Sequence, residues 1–131
     1  MAITKNYARQ EVIAAKVDIT FGTGTDIAVI GVFEAIEVPR NAIVVGGYIN
    51  VSDATTATVD INIGDGGSST RYATAVDGAA TGLTALTLTG YKYTAKDTID
   101  VAITVADPTA AGAAELVVEY IIDGRAEFSQ G

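Results

Sequence analysis

A chain of 131 residues with 49% apolar side chains has enough apolar surface to bury one core, which excludes a disordered polypeptide and sets a single domain as the expectation. Eight basic residues against sixteen acidic ones leave a formal net charge of −8 with no basic cluster, which counts against affinity for nucleic-acid phosphates. Cysteine and histidine are both absent, which excludes disulfide frameworks, thiolate chemistry, Ser-His-Asp hydrolysis and His-ligated metal sites of the cupin kind.

Residues 1–10, "MAITKNYARQ", lack alternation and read as an extended arm ahead of the body. They contain no apolar stretch of the kind a secretory signal needs, and nowhere in the chain do about 18 apolar residues run together as a membrane span would require. The arm carries two of the eight cations, Lys5 and Arg9, together with Tyr7. These three are candidate partner contacts, with Tyr7 as the anchor.

From residue 11 onward the dominant period is two. "KVDITF" places Val17, Ile19 and Phe21 on one face, and "TVDINI" does the same with Val59, Ile61 and Ile63. "TIDVAITV" aligns Ile99, Val101, Ile103 and Val105, and "AELVVEYIID" aligns Leu116, Val118, Tyr120 and Ile122. Alternation in β-branched residues is the mark of a half-buried strand. "DIAVIGVFEAIEV" and "NAIVVGGYINV" are apolar on both faces, and Gly31, Gly46 and Gly47 mark bulges or close backbone approach. An alternative is that a neighbouring subunit covers the second face. Turn signals such as "PRN", "GDGGSS" and "DPTAAG" cut the chain into eight strands, at 11–21, 26–38, 42–52, 57–63, 69–75, 84–93, 98–106 and 114–122. Only "AAGAAEL" competes as helix, for one turn at most. The expected fold is an all-β, eight-stranded antiparallel β-sandwich over residues 11–123, a jelly roll first and an immunoglobulin-like sandwich second, with a tail at 124–131.

"INIGDGGSSTRY", residues 61–72, is where chemistry could sit. Asp60, Asn62 and Asp65 offer oxygens beside glycines, as a calcium loop would. An EF-hand needs an oxygen donor, Gly and Glu at its fifth, sixth and twelfth positions, where this chain has Gly64, Asp65 and Arg71. No Lys-Ser/Thr follows the glycines, so a phosphate loop fails too. The expectation is a hairpin turn whose glycines carry positive φ, with no metal and no cofactor. Arg71 can reach an acidic neighbour, in this chain or another. Tyr72, Tyr91 and Tyr93 are possible binding aromatics, the last two on one strand face about Lys92. With no Trp, a sugar-stacking cleft and a paired-carboxylate glycosidase are thinly provided for.

The order "EVPRNAIVVGGYINV", "ATVDINIGDGGSSTRYATAVDG", "TIDVAITV" and "ELVVEYIIDGR" resembles the small structural proteins of tailed-bacteriophage heads, in particular capsid decoration (cement) proteins. That resemblance spans roughly residues 10–123. It implies a jelly-roll or sandwich body without an active site, made in the host cytoplasm, bound to the major capsid protein on the capsid exterior, and commonly trimeric. The two-faced strands agree with a homotrimer. No membrane or nucleic-acid partner is expected. The alternative is a carbohydrate- or host-surface-binding module of a head fibre or adsorption protein, with Tyr91 and Tyr93 as its leading contacts.

Overall fold

Alternating β-branched segments become eight strands in the computed structural model, which describes residues 11–105 and 111–124 apart from 23, 26 and 28. They are β1 (Ile13–Phe21), β2 (Gly31–Val38), β3 (Ala42–Asp53), β4 (Asp60–Gly64), β5 (Ala73–Asp77), β6 (Gly82–Ala85), β7 (Asp97–Val105) and β8 (Gly112–Ile122). No helix occurs among the described residues. The arm, with Lys5, Tyr7 and Arg9, and the end of the tail lie outside the described residues.

The strands form two four-stranded sheets, ordered β1-β8-β3-β6 and β2-β7-β4-β5, with every pairing antiparallel. The pairs β1–β8, β2–β7, β3–β6 and β4–β5 nest like one long hairpin, and they fall alternately into the two sheets. That is the jelly roll. Chain neighbours pair only at β4–β5, so the immunoglobulin-like alternative is set aside.

Between the sheets lie Ile49, Ile61, Ile63, Ile99, Leu116 and Val118, each fully buried. Bulges explain the strands that look apolar on both faces. In β2 the register slips between Glu34 and Ile36, so Phe33 and the pair Ile36 and Val38 turn to the same side. In β3 it slips between Val44 and Gly46, so Ala42 and Val44 share the inner face with Ile49 and Val51. Gly47 follows with φ 133°, and a Cβ there would stand 2.2 Å from the Val117 carbonyl oxygen. Only glycine fits. At Gly31, by contrast, the pairing is regular.

Two expected strands change most. Residues 84–93 are not one strand, because β6 ends at Ala85 and Leu86 turns inward, its N–H donating to the Gly47 carbonyl at 3.1 Å. Thr87 then bonds the Tyr72 carbonyl at 2.8 Å, and Lys92 makes an isolated bridge to Ile43. The strand expected at 69–75 starts only at Ala73, since residues 65–72 form a long loop. "AAGAAEL" holds no helical turn in its described part, because Gly112 already begins β8.

Candidate functional site

The loop between β4 and β5 is organised by one carboxylate. Gly64 ends β4 against the backbone of residues 68 and 69, where a Cβ would meet the Ser68 carbonyl oxygen at 2.1 Å. Neither it nor Gly66 or Gly67 has a positive φ, which corrects the expectation for "GDGG". Glycine is required at position 64 by close approach, and the loop is eight residues rather than a tight reversal.

Asp65 turns inward, its side chain only 1% exposed. Its Oδ1 accepts the N–H groups of Gly67 and Ser68, both at 2.9 Å, which is an Asx turn. Its Oδ2 accepts the Tyr93 hydroxyl at 2.7 Å and Arg71 Nε, while Arg71 Nη2 stands 3.4 Å from Oδ1. Tyr72 and Tyr93 bring their hydroxyls to 2.7 Å. Because Tyr93 spends its only proton on Asp65, Tyr72 must donate to Tyr93, and the relay ends on the carboxylate. The Arg71 guanidinium also lies over the Tyr91 ring, 3.7 Å from its centroid, and the Tyr91 and Tyr93 rings meet edge to face at 5.0 Å.

Burial alone would raise the Asp65 carboxyl, but Arg71, Tyr93 and the two backbone N–H groups outweigh it and hold the acid below its ordinary range. Its hydrogen bond raises Arg71. Burial raises both Tyr72 and Tyr93; the hydrogen bond to Tyr93 opposes this at Tyr72, whereas at Tyr93 the bonds to Tyr72 and Asp65 add to it.

Such a cluster holds rather than reacts. Every oxygen of Asp65 is occupied by donors, so a cation would have to displace Arg71. A general base needs a free lone pair, and a phenol with a raised pKa is no nucleophile near neutrality. Asn62, weighed above as a calcium ligand, spends its Oδ1 on the Ala75 N–H at 2.7 Å, and Asp60 sits opposite Asp77 in the β4–β5 register. No group of three or more acidic, His or Cys side chains among the described residues is arranged to hold a metal.

The structure therefore brings Arg71, Tyr72, Tyr91 and Tyr93 into one cluster. Tyr72 and Tyr93 are 1% and 2% exposed, turned into the cluster and away from the surface of this chain. Tyr91 is 38% exposed, and Arg71 already covers one face of its ring. Lys92 points the other way and pairs with Asp123 at 2.8 Å. Asp65 is the hub that sequence reasoning weighed only as a metal ligand. The signal for its role was the acid six residues before an arginine, which is too common a spacing to single out.

No protein-family model matches the chain, and no curated protein matches it in sequence. Solved structures are similar in fold. A chain of the cyanophage Pam1 capsid asymmetric unit matches with TM-score 0.69 and 23% identity, over 93% of this chain and 91% of that one. The acidic stable capsid of Helicobacter pylori bacteriophage KHP30 has a chain matching at TM-score 0.61 and 19% identity, over 86% of this chain and 92% of the other. One in the capsid of Ralstonia phage GP4 matches at 0.57 and 19%, over 95% and 92%. This jelly roll is thus a fold of chains found in bacteriophage capsids.

Proposed function

We propose that this chain is a structural protein of a phage virion that binds the outside of the capsid shell and stabilises it, as a decoration (cement) protein without catalysis. The likeness in fold to chains of three phage capsids, over most of their length, carries the reading. The Asp65 cluster agrees with it, since its carboxylate and phenols are spent on holding a loop. The partner is the major capsid protein, met after synthesis in the host cytoplasm. A protein that binds the assembled shell and not its separated subunits stabilises the shell by linkage alone.

Self-association as a homotrimer belongs to the same reading. Once the bulges in β2 and β3 are allowed for, Val29, Ile30 and Val32 at the entrance to β2 and Val45 in β3 are the large apolar residues of the two-faced segments that stay exposed, at 60%, 58%, 63% and 39%. Closed cyclic symmetry would cover them.

Co-sedimentation of the purified protein with empty shells of its cognate major capsid protein tests the proposal. Saturable binding at a fixed ratio to capsid subunits, with light scattering reporting three copies in free solution, is the expected result. Protein that stays in the supernatant at every concentration refutes shell binding, and a mass of one 13.4 kDa chain refutes the trimer.

A further inference from the structure

The two margins of the sandwich differ in how their inward residues are covered. At the β5/β6 margin Tyr72, Val76 and Leu86 are buried at 1%, 8% and 7% exposure, beneath grooves of about 420 and 250 Å³ whose linings include Thr74, Thr84 and Thr87. At the β1/β2 margin the inward residues Ile13, Ala15 and Val17 of β1 and Phe33 and Ala35 of β2 are only partly buried. A groove of about 250 Å³ runs between them, with an apolar floor that includes Val17, Ile19, Phe33 and Ala35. Two carboxylates, Asp18 and Glu34, stand at its rim. Glu34 has no ion-pair partner among the described residues, whereas Asp18 shares Lys16 with Glu115. Both β1 and β2 are edge strands, and Ile27 covers only the end of the β1 edge, its N–H donating to the Thr20 carbonyl at 3.0 Å.

We infer that the groove between β1 and β2 receives residues 1–10 of a second copy of this chain, with Ile3, Lys5, Tyr7 and Arg9 on the one strand face turned to the groove. Ile3 and Tyr7 rest on the apolar floor, and the long side chains of Lys5 and Arg9 lay their stems beside them and carry their charges out to Asp18 and Glu34 at the rim. Three observations select this occupant. Charge is complementary, since the segment carries two cations and no acid while the rim is acidic. Length is sufficient, since ten extended residues span roughly 33 Å and the nine-residue β1 edge roughly 30 Å. The third is the direction of the chain. To reach its own groove the segment would have to reverse just before Ile13, yet residues 8–12, "ARQEV", hold no Gly, Pro, Asn, Asp or Ser to make a turn. It therefore runs on to a neighbour. Strand addition at an exposed edge is an established mode of docking an extended segment. The exchange is a property of the free protein and does not rest on shell binding.

The absence of native cysteine makes the test clean. Two differently tagged full-length chains, one carrying Tyr7→Cys and the other Ala35→Cys, are co-expressed and treated with a short bis-thiol crosslinker. The expected product joins the two tags, and it is lost when Ala35→Cys is moved to Thr104→Cys on β7. Absence of a joined product, or a Tyr7→Cys/Ala35→Cys double variant that crosslinks only within one chain, overturns the inference. In full-length protein, Asp18→Lys with Glu34→Lys should weaken self-association roughly tenfold or more, on the scale of a lost anchor, while the far-ultraviolet β spectrum stays unchanged. Unaltered self-association in that variant also overturns it.

Discussion

Asp65 shows how much one side chain holds. Replacing it by Asn keeps the shape but removes the counter-charge of Arg71 and weakens the bonds from Gly67, Ser68 and Tyr93. Breaking such a buried pair from one side should cost about 3 kcal/mol, read as a lower urea midpoint at unchanged m-value. Asp123→Asn, which breaks the exposed pair with Lys92, should change nothing measurable. The pH dependence follows from two acids of opposite sign. Burial first of all raises the Asp100 carboxyl, Asp97, Glu34 and Asp65 add to this, and the Thr98 hydroxyl opposes it. Glu34 lies directly opposite Asp100 in the β2–β7 register. The folded state therefore takes up this proton before the unfolded chain does, so stability rises as the pH falls from neutrality toward the raised value. Asp65, held low, acts the other way. Its contribution is present above the unfolded carboxylate value of about 4 and is lost as the pH falls below it. Melts across this range should show a maximum in mild acid, and Asp100→Asn should flatten the rise on its neutral side.

Elements divide into those whose pattern is local and those shaped by partners. Simple alternation in β1, β7 and β8 identifies Ile19, Phe21, Ile99, Val101, Leu116 and Val118 as inward, and all are buried. In β2 and β3 the two-faced pattern reflects a slip against β7 and β8, which no local period encodes. Turn signals misled at 84–93. They bound one stretch of chain there, but the strand stops at Ala85, Leu86 is buried at 7% and Leu88, two residues on, is 51% exposed. The Asp65 cluster was legible only in its parts. Arg71 and the tyrosines stand out by type, but what unites them is the crossing of residues 86–93 over the β4–β5 loop. At the β3 bulge, Gly47→Ala should be among the most damaging single changes, by about 3 kcal/mol or more, because it adds a clash with Val117 to a φ of 133°. Normal expression and an unchanged melt for that variant would show that the backbone there relaxes freely.

At the scale of the whole molecule, a jelly roll with a partly exposed apolar groove between β1 and β2, a net charge of −8 and a fully engaged Asp65 cluster agrees with the docking and bracing proposed above. It offers contact area and stiffness, and its buried polar groups are consumed internally. In this account such a protein acts by adding binding free energy to the assembled shell and none to its separated subunits. The most direct test is the disruption temperature of purified empty shells, followed by light scattering or release of capsid subunits, with and without saturating protein. The disruption temperature should rise with bound protein, saturate with the bound ratio, and show no counterpart for unassembled capsid subunits. An unchanged disruption temperature at saturating protein would contradict this account.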